Sequence, residues 1–148
     1  MRLHLRVLVV LAIVATAAAC DENLSTLAGP TPSLEPTFSS IQRDIFETTD
    51  TAGRVGCVGC HTNVGRNPAG GLNLLASVSY ASLVNTPSTQ SAGVARVTPG
   101  SPDRSYLIQK LEGPGVVGLR MPRNGPPYLT SGQMTIIRRW VEIGAPSN

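Results

Sequence analysis

Cys57-Val58-Gly59-Cys60-His61 is a C-x-x-C-H run, and the remaining 143 of the 148 residues are best read outward from it. Cys57 and Cys60 stand three apart, and Cys57 and His61 four apart. Those are the two spacings that share one face of a helical turn. This order is the attachment signature of a c-type haem. The chemistry explains why. Two thiols add across two vinyl groups of the macrocycle, and the adjoining imidazole becomes an axial ligand of the iron. One turn of chain thus brings two thioether anchors and a metal ligand to a single flat group.

A bare C-x-x-C also serves as a redox dithiol or as half a zinc site. The composition weakens both readings. The chain has 3 cysteines and 2 histidines, and outside the motif these are Cys20 and His4. No second pair of zinc ligands follows. A redox dithiol of the thioredoxin kind is preceded by a strand and followed by a long helix. Here Thr48-Thr49-Asp50-Thr51-Ala52-Gly53 precedes the motif, and glycine-, proline- and asparagine-rich chain follows it through Gly71.

Upstream, Arg2 and Arg6 lead into the apolar run Val7 to Ala15 and then Thr16-Ala17-Ala18-Ala19. Charged start, short apolar middle and small-residue end make residues 1–19 a secretory signal, too short for a spanning helix. Cys20 stands directly after the small residues, as in a bacterial lipoprotein that is diacylated on sulfur after cleavage. Ala17 stands where that pattern prefers leucine, and the plain A-x-A alternative leaves a free thiol on an exported chain. Residues 20–36 are then a lipid anchor and flexible tether, rich in Ser, Thr, Gly and Pro and poor in apolar residues. Residues 37–148 form one domain of ordinary size.

Removing Arg2 and Arg6 from the 12 Lys+Arg leaves 10 against 9 Asp+Glu, a net charge of +1 for the mature chain. The high pI of the whole chain is therefore no nucleic-acid signal, and no basic run supports one. With 2 Phe, 3 Tyr and 1 Trp but 15 Gly and 12 Pro, the chain is poor in large core residues. A haem, as a large apolar insert, would supply them.

Hydrophobic spacing predicts an all-α domain with no alternating strand run. Phe38, Ile41, Ile45 and Phe46 mark an amphipathic helix over 38–49, with Thr37 as its cap. A short helix is expected over 79–84. Ser101-Pro102 reads as an N-cap with proline at the first helical position, opening a helix through Leu111 that Gly113-Pro114-Gly115 stops. A last helix spans Ser131 to Ile143, with Ile136, Ile137, Trp140 and Val141 on one side and Gly144 beyond its end.

A helix, C-x-x-C-H, roughly 60 residues to a loop methionine, and a closing helix together resemble a class I cytochrome c domain. More narrowly, the chain resembles the small planctomycete-type cytochrome c domains. The matching pieces are Ile45-Phe46, Gly70-Gly71-Leu72-Asn73-Leu74, Tyr80 to Asn85, Val97-Thr98-Pro99-Gly100-Ser101-Pro102, Ser105-Tyr106-Leu107, Arg120-Met121-Pro122, Ile137-Arg138-Arg139-Trp140-Val141 and Gly144-Ala145. The resemblance covers about residues 38–146. It implies first and last helices packed against each other across one haem, and it adds no substrate.

With two thioethers, His61 and a methionine around the iron, the expectation is a one-electron carrier with redox partner proteins at a membrane's outer face. Neither nucleic acid nor a small-molecule substrate is expected. The rival from the enzyme class is a peroxidase-like haem protein, which needs an open iron position and acid–base groups. No histidine follows His61, and Glu112 is the only acid between Asp103 and Glu142. A five-coordinate gas sensor is the third reading.

Met121 is favoured over Met134 as the second axial ligand. It lies in a loop carrying Gly113, Gly115, Gly118 and Gly125, which can lie close over a flat group, and Pro122 stiffens the backbone after it. Met134 is expected in the packing face of the last helix. Arg120 and Arg123 are expected near a haem propionate or a partner, Arg138 and Arg139 in water, and Lys110 as a solvated charge.

Overall fold

The computed structural model describes residues 33–50 and 53–148. The signal expected over 1–19, Cys20, and the expected tether as far as residue 32 lie outside the described residues. The described part is helical, with two isolated bridges, Val84 to Val97 and Pro87 to Ala95, and no strand. The all-α expectation holds at that level.

Helix α1 (Phe38–Ile41) opens on Thr37, whose Oγ1 accepts the Ser40 backbone N–H at 3.3 Å. It then widens into a π-helical turn, Gln42–Phe46. The continuous helix expected over 38–49 is therefore shorter and wider than its spacing suggested. Thr48 Oγ1 donates to the Arg43 carbonyl at 2.7 Å, taking an acceptor that another helical turn would have used. Gln42 is buried in the wide turn, and its amide donates at 2.8 Å to both Leu74 O and Glu47 Oε1. Leu34 packs on the core and the Glu35 N–H donates to Ser40 Oγ at 3.0 Å, so attachment to the domain reaches back before Thr37.

Helix α2 (Ser79–Leu83) begins where expected and ends one residue earlier, at extended Val84. Downstream, the single helix expected from Pro102 is two pieces. A 3₁₀ turn, Pro102–Arg104, is separated from α3 (Tyr106–Glu112) by Ser105 in an extended conformation. Buried Ser105 causes the break, because its Oγ accepts the Thr98 N–H at 2.9 Å and donates to Ser101 O at 3.0 Å. Gly113, at φ +98°, ends α3; a Cβ there would lie 2.7 Å from Arg120 Cδ. Helix α4 (Ser131–Glu142) starts with a full capping box between Thr130 and Gln133.

Helix α1 packs on α4 around Trp140, which has no exposed surface. The Phe38 ring lies 5.4 Å from Trp140 and 5.1 Å, edge-on, from Tyr80. Trp140 Nε1 donates to Pro146 O and the Tyr80 hydroxyl to Ala145 O, each at 2.9 Å. The Ser39 N–H reaches Asn148 O at 2.8 Å, tying the C-terminal residues to α1. Both ends of the domain thus close on one aromatic cluster. The cysteine motif and the long loop after α3 form the walls of a cavity.

Candidate haem site

Gly56 lets the motif approach α1. A Cβ at this position would lie 2.6 Å from Phe46 O and 2.8 Å from Thr48 O, both fixed backbone atoms. Cys57–Gly59 then forms a 3₁₀ turn. The Cys60 and His61 N–H groups both donate to Cys57 O, at 3.2 and 3.0 Å. The chain is tightly wound here, and Cys57, Cys60 and His61 line one cavity. Its volume is about 690 Å³, within the range of small-molecule and cofactor sites.

The Ala69 carbonyl lies 2.9 Å from His61 Nδ1. A carbonyl only accepts, so Nδ1 carries the proton and the Nε2 lone pair is left to act as a ligand. Burial holds the imidazole below its ordinary pKa, against the raising effect of the Ala69 and Leu72 backbone. Neutral imidazole is the ligating form. Burial also pushes the Cys57 thiol up to about 11. A nucleophilic redox cysteine needs the opposite shift, which counts against the dithiol reading.

Ile45, Phe46, Leu72, Leu74, Leu83, Leu107 and Leu111 supply the cavity's apolar wall, and Met121 lines it too. Met134 packs on the core cluster outside that lining. Of the two methionines, then, the loop residue shares the cavity with the motif. Its backbone N–H donates to Lys110 O at 2.8 Å.

Several cations differ from expectation. Lys110 is 7% exposed rather than solvated, and its Nζ donates to Val117 O at 3.0 Å and Leu119 O at 2.7 Å. The loop after α3 folds back over the helix and covers it. Arg120 turns inward as well. Its Nε donates to Leu111 O at 2.7 Å and its guanidinium lies 3.9 Å from the Tyr128 ring, so Arg123 alone of the pair lines the cavity. Arg138 bridges Asp103 and Glu112, and Arg139 pairs with Glu142, all at the surface.

Sequence reasoning gave no role to Arg96. It is 8% exposed, lines the cavity, and donates to Ser82 O at 2.7 Å and Gly70 O at 3.2 Å. A lone arginine between Ala95 and Val97 was the only hint of its burial. Among the described residues neither Arg96 nor Lys110 has a carboxylate partner, although buried cations are costly unless paired. Burial lowers the pKa of both.

A haem fits these residues. Two thiols, a tautomer-fixed imidazole and a thioether line an apolar cavity, and two unpaired buried cations match a group that carries two carboxylates. No cluster of three or more His, Cys, Asp or Glu with metal-holding geometry occurs among the described residues, nor any helix long and apolar enough to cross a membrane. Comparison with family models, with curated proteins and with solved structures gives no significant match to this chain.

Proposed function

We propose that the chain is an exported monohaem c-type cytochrome of the class I kind, carrying single electrons between partner proteins at the cell envelope. One observation supports this most: the C-x-x-C-H turn and Met121 line the same apolar cavity. When bound, the haem iron supplies a one-electron couple whose potential depends on axial ligands and burial. Cys57 and Cys60 hold the group covalently. His61, oriented by the Ala69 carbonyl, and Met121 ligate the iron, while Arg96 and Lys110 balance the carboxylates.

Expression with export in a host that matures c-type cytochromes tests this directly. The purified chain should keep one haem through acid–acetone extraction and denaturing electrophoresis. Haem that extracts freely, or none at all, would end the proposal.

The anchor belongs to the same reading. Cys20 carries lipid and holds the domain on the periplasmic face of the envelope, because two acyl chains bind far more firmly than one. Cys20→Ser should move the haem protein into the soluble periplasmic fraction. An N-terminal peptide of unmodified mass from the natural chain would show instead that Cys20 is an ordinary residue.

A further inference from the structure

We infer that Arg54 is the positioning residue for the Met121 ligand, an inference that rests on the haem reading above. Arg54 precedes Cys57 by three residues. Its Nη1 donates to Asn124 O at 2.9 Å and Pro126 O at 3.1 Å, and its Nη2 to Pro127 O at 3.4 Å. Three carbonyls of the segment that follows Met121 thus converge on one guanidinium, from positions 70 to 73 residues away in the chain.

The acceptors need an outside donor. Pro122, Pro126 and Pro127 have no N–H, so this stretch cannot pair its carbonyls in a regular ladder of its own. Arginine suits the task because its donors are fixed in one plane, whereas a lysine ammonium acts as a point. The arginine is itself anchored. Asp50 accepts from Arg54 Nε at 2.6 Å and from the Arg54 backbone N–H at 2.9 Å, and its own N–H donates to Arg54 O at 3.0 Å.

On its other flank the Met121 loop is held by α3, through Lys110 and the Leu111 carbonyl. Among the described residues, Arg54 makes side-chain hydrogen bonds that join the loop to the cysteine segment. It fixes how far Met121 stands from the turn that carries His61, and hence whether the thioether remains on the iron.

The test uses the full haem-loaded chain. Arg54→Gln should keep covalent haem but lose most of the weak far-red band of methionine-ligated ferric haem. It should also speed carbon monoxide binding to the ferrous protein by at least about tenfold, the worth of one hydrogen bond to a charged group. Arg54→Lys retains the charge and the Asp50 pair, and should fall between; if Arg54→Gln fails to fold, this variant decides by the same two readings. Arg139→Gln, at a surface pair, should match the natural protein. A variant that melts earlier yet keeps the band and the slow carbon monoxide rate would make Arg54 a structural clamp only. Absence of the band from the natural protein would overturn the methionine ligation and this inference together.

Discussion

Around Trp140, each large ring meets another ring or gives its polar atom to a carbonyl. Phe38, Tyr80 and Trp140 interlock, and Pro146 and Ala145 accept the indole and phenol donors. Around the C-x-x-C-H turn the apolar side chains face a cavity of about 690 Å³, and among the described residues two buried cations there have no carboxylate partner and donate mainly to backbone carbonyls. One region is completed by its own side chains. The other leaves an apolar cavity lined by the motif's thiols and imidazole, by Met121, and by two buried cations without a carboxylate partner.

The largest expected effect falls on the cavity alone. Replacing Cys57 and Cys60 together by alanine should abolish covalent haem, seen as loss of haem stain on denaturing gels. Should haem remain bound covalently, neither thiol is the anchor and the comparison collapses. Next comes Trp140→Ala, which should cost about 3–5 kcal/mol in urea unfolding because it empties a fully buried site. The folded fraction should keep its haem spectrum, since Trp140 is absent from the cavity lining.

The two methionines divide the same way. Met121→Ala should lower the reduction potential, remove the far-red band and admit carbon monoxide. Met134→Ala should leave all three alone and cost about 2 kcal/mol, the lower end for a core methionine because it is half-buried. Exchanged phenotypes would move the ligand to α4. Smallest is Thr130→Ala, which removes the capping-box hydroxyl of α4 and should lower stability by about 1 kcal/mol with no spectral change.

How much of this was legible beforehand depends on how local each cause is. The Thr37 cap of α1, the position of α2 and the end of α4 before Gly144 are set by residues within a turn or so of one another, and the sequence contained them; the Thr130–Gln133 capping box is as local but went unread. Where a distant partner intervened, local reading failed. Ser105 looked like an interior helical residue until its hydroxyl met Thr98, and the first helix stopped at Phe46, short of 49, with Thr48 taking the Arg43 carbonyl. Lys110 looked solvated because nothing in its neighbourhood shows that Val117 and Leu119 return to cover it.

By itself, then, the sequence determined the chemistry offered: two thiols and an imidazole in one turn, a methionine in a glycine-rich loop, and helices of given polarity. That follows because spacing within a turn places side chains without help from the rest of the fold. The glycine-rich loop already favoured Met121; tertiary structure alone decided that Arg96 and Lys110 are buried beside the cavity, and that Arg54 spans to the Pro126–Pro127 segment. Those outcomes depend on segments tens of residues apart coming together, and a buried cation or an unpaired carbonyl acquires its partner only when they do.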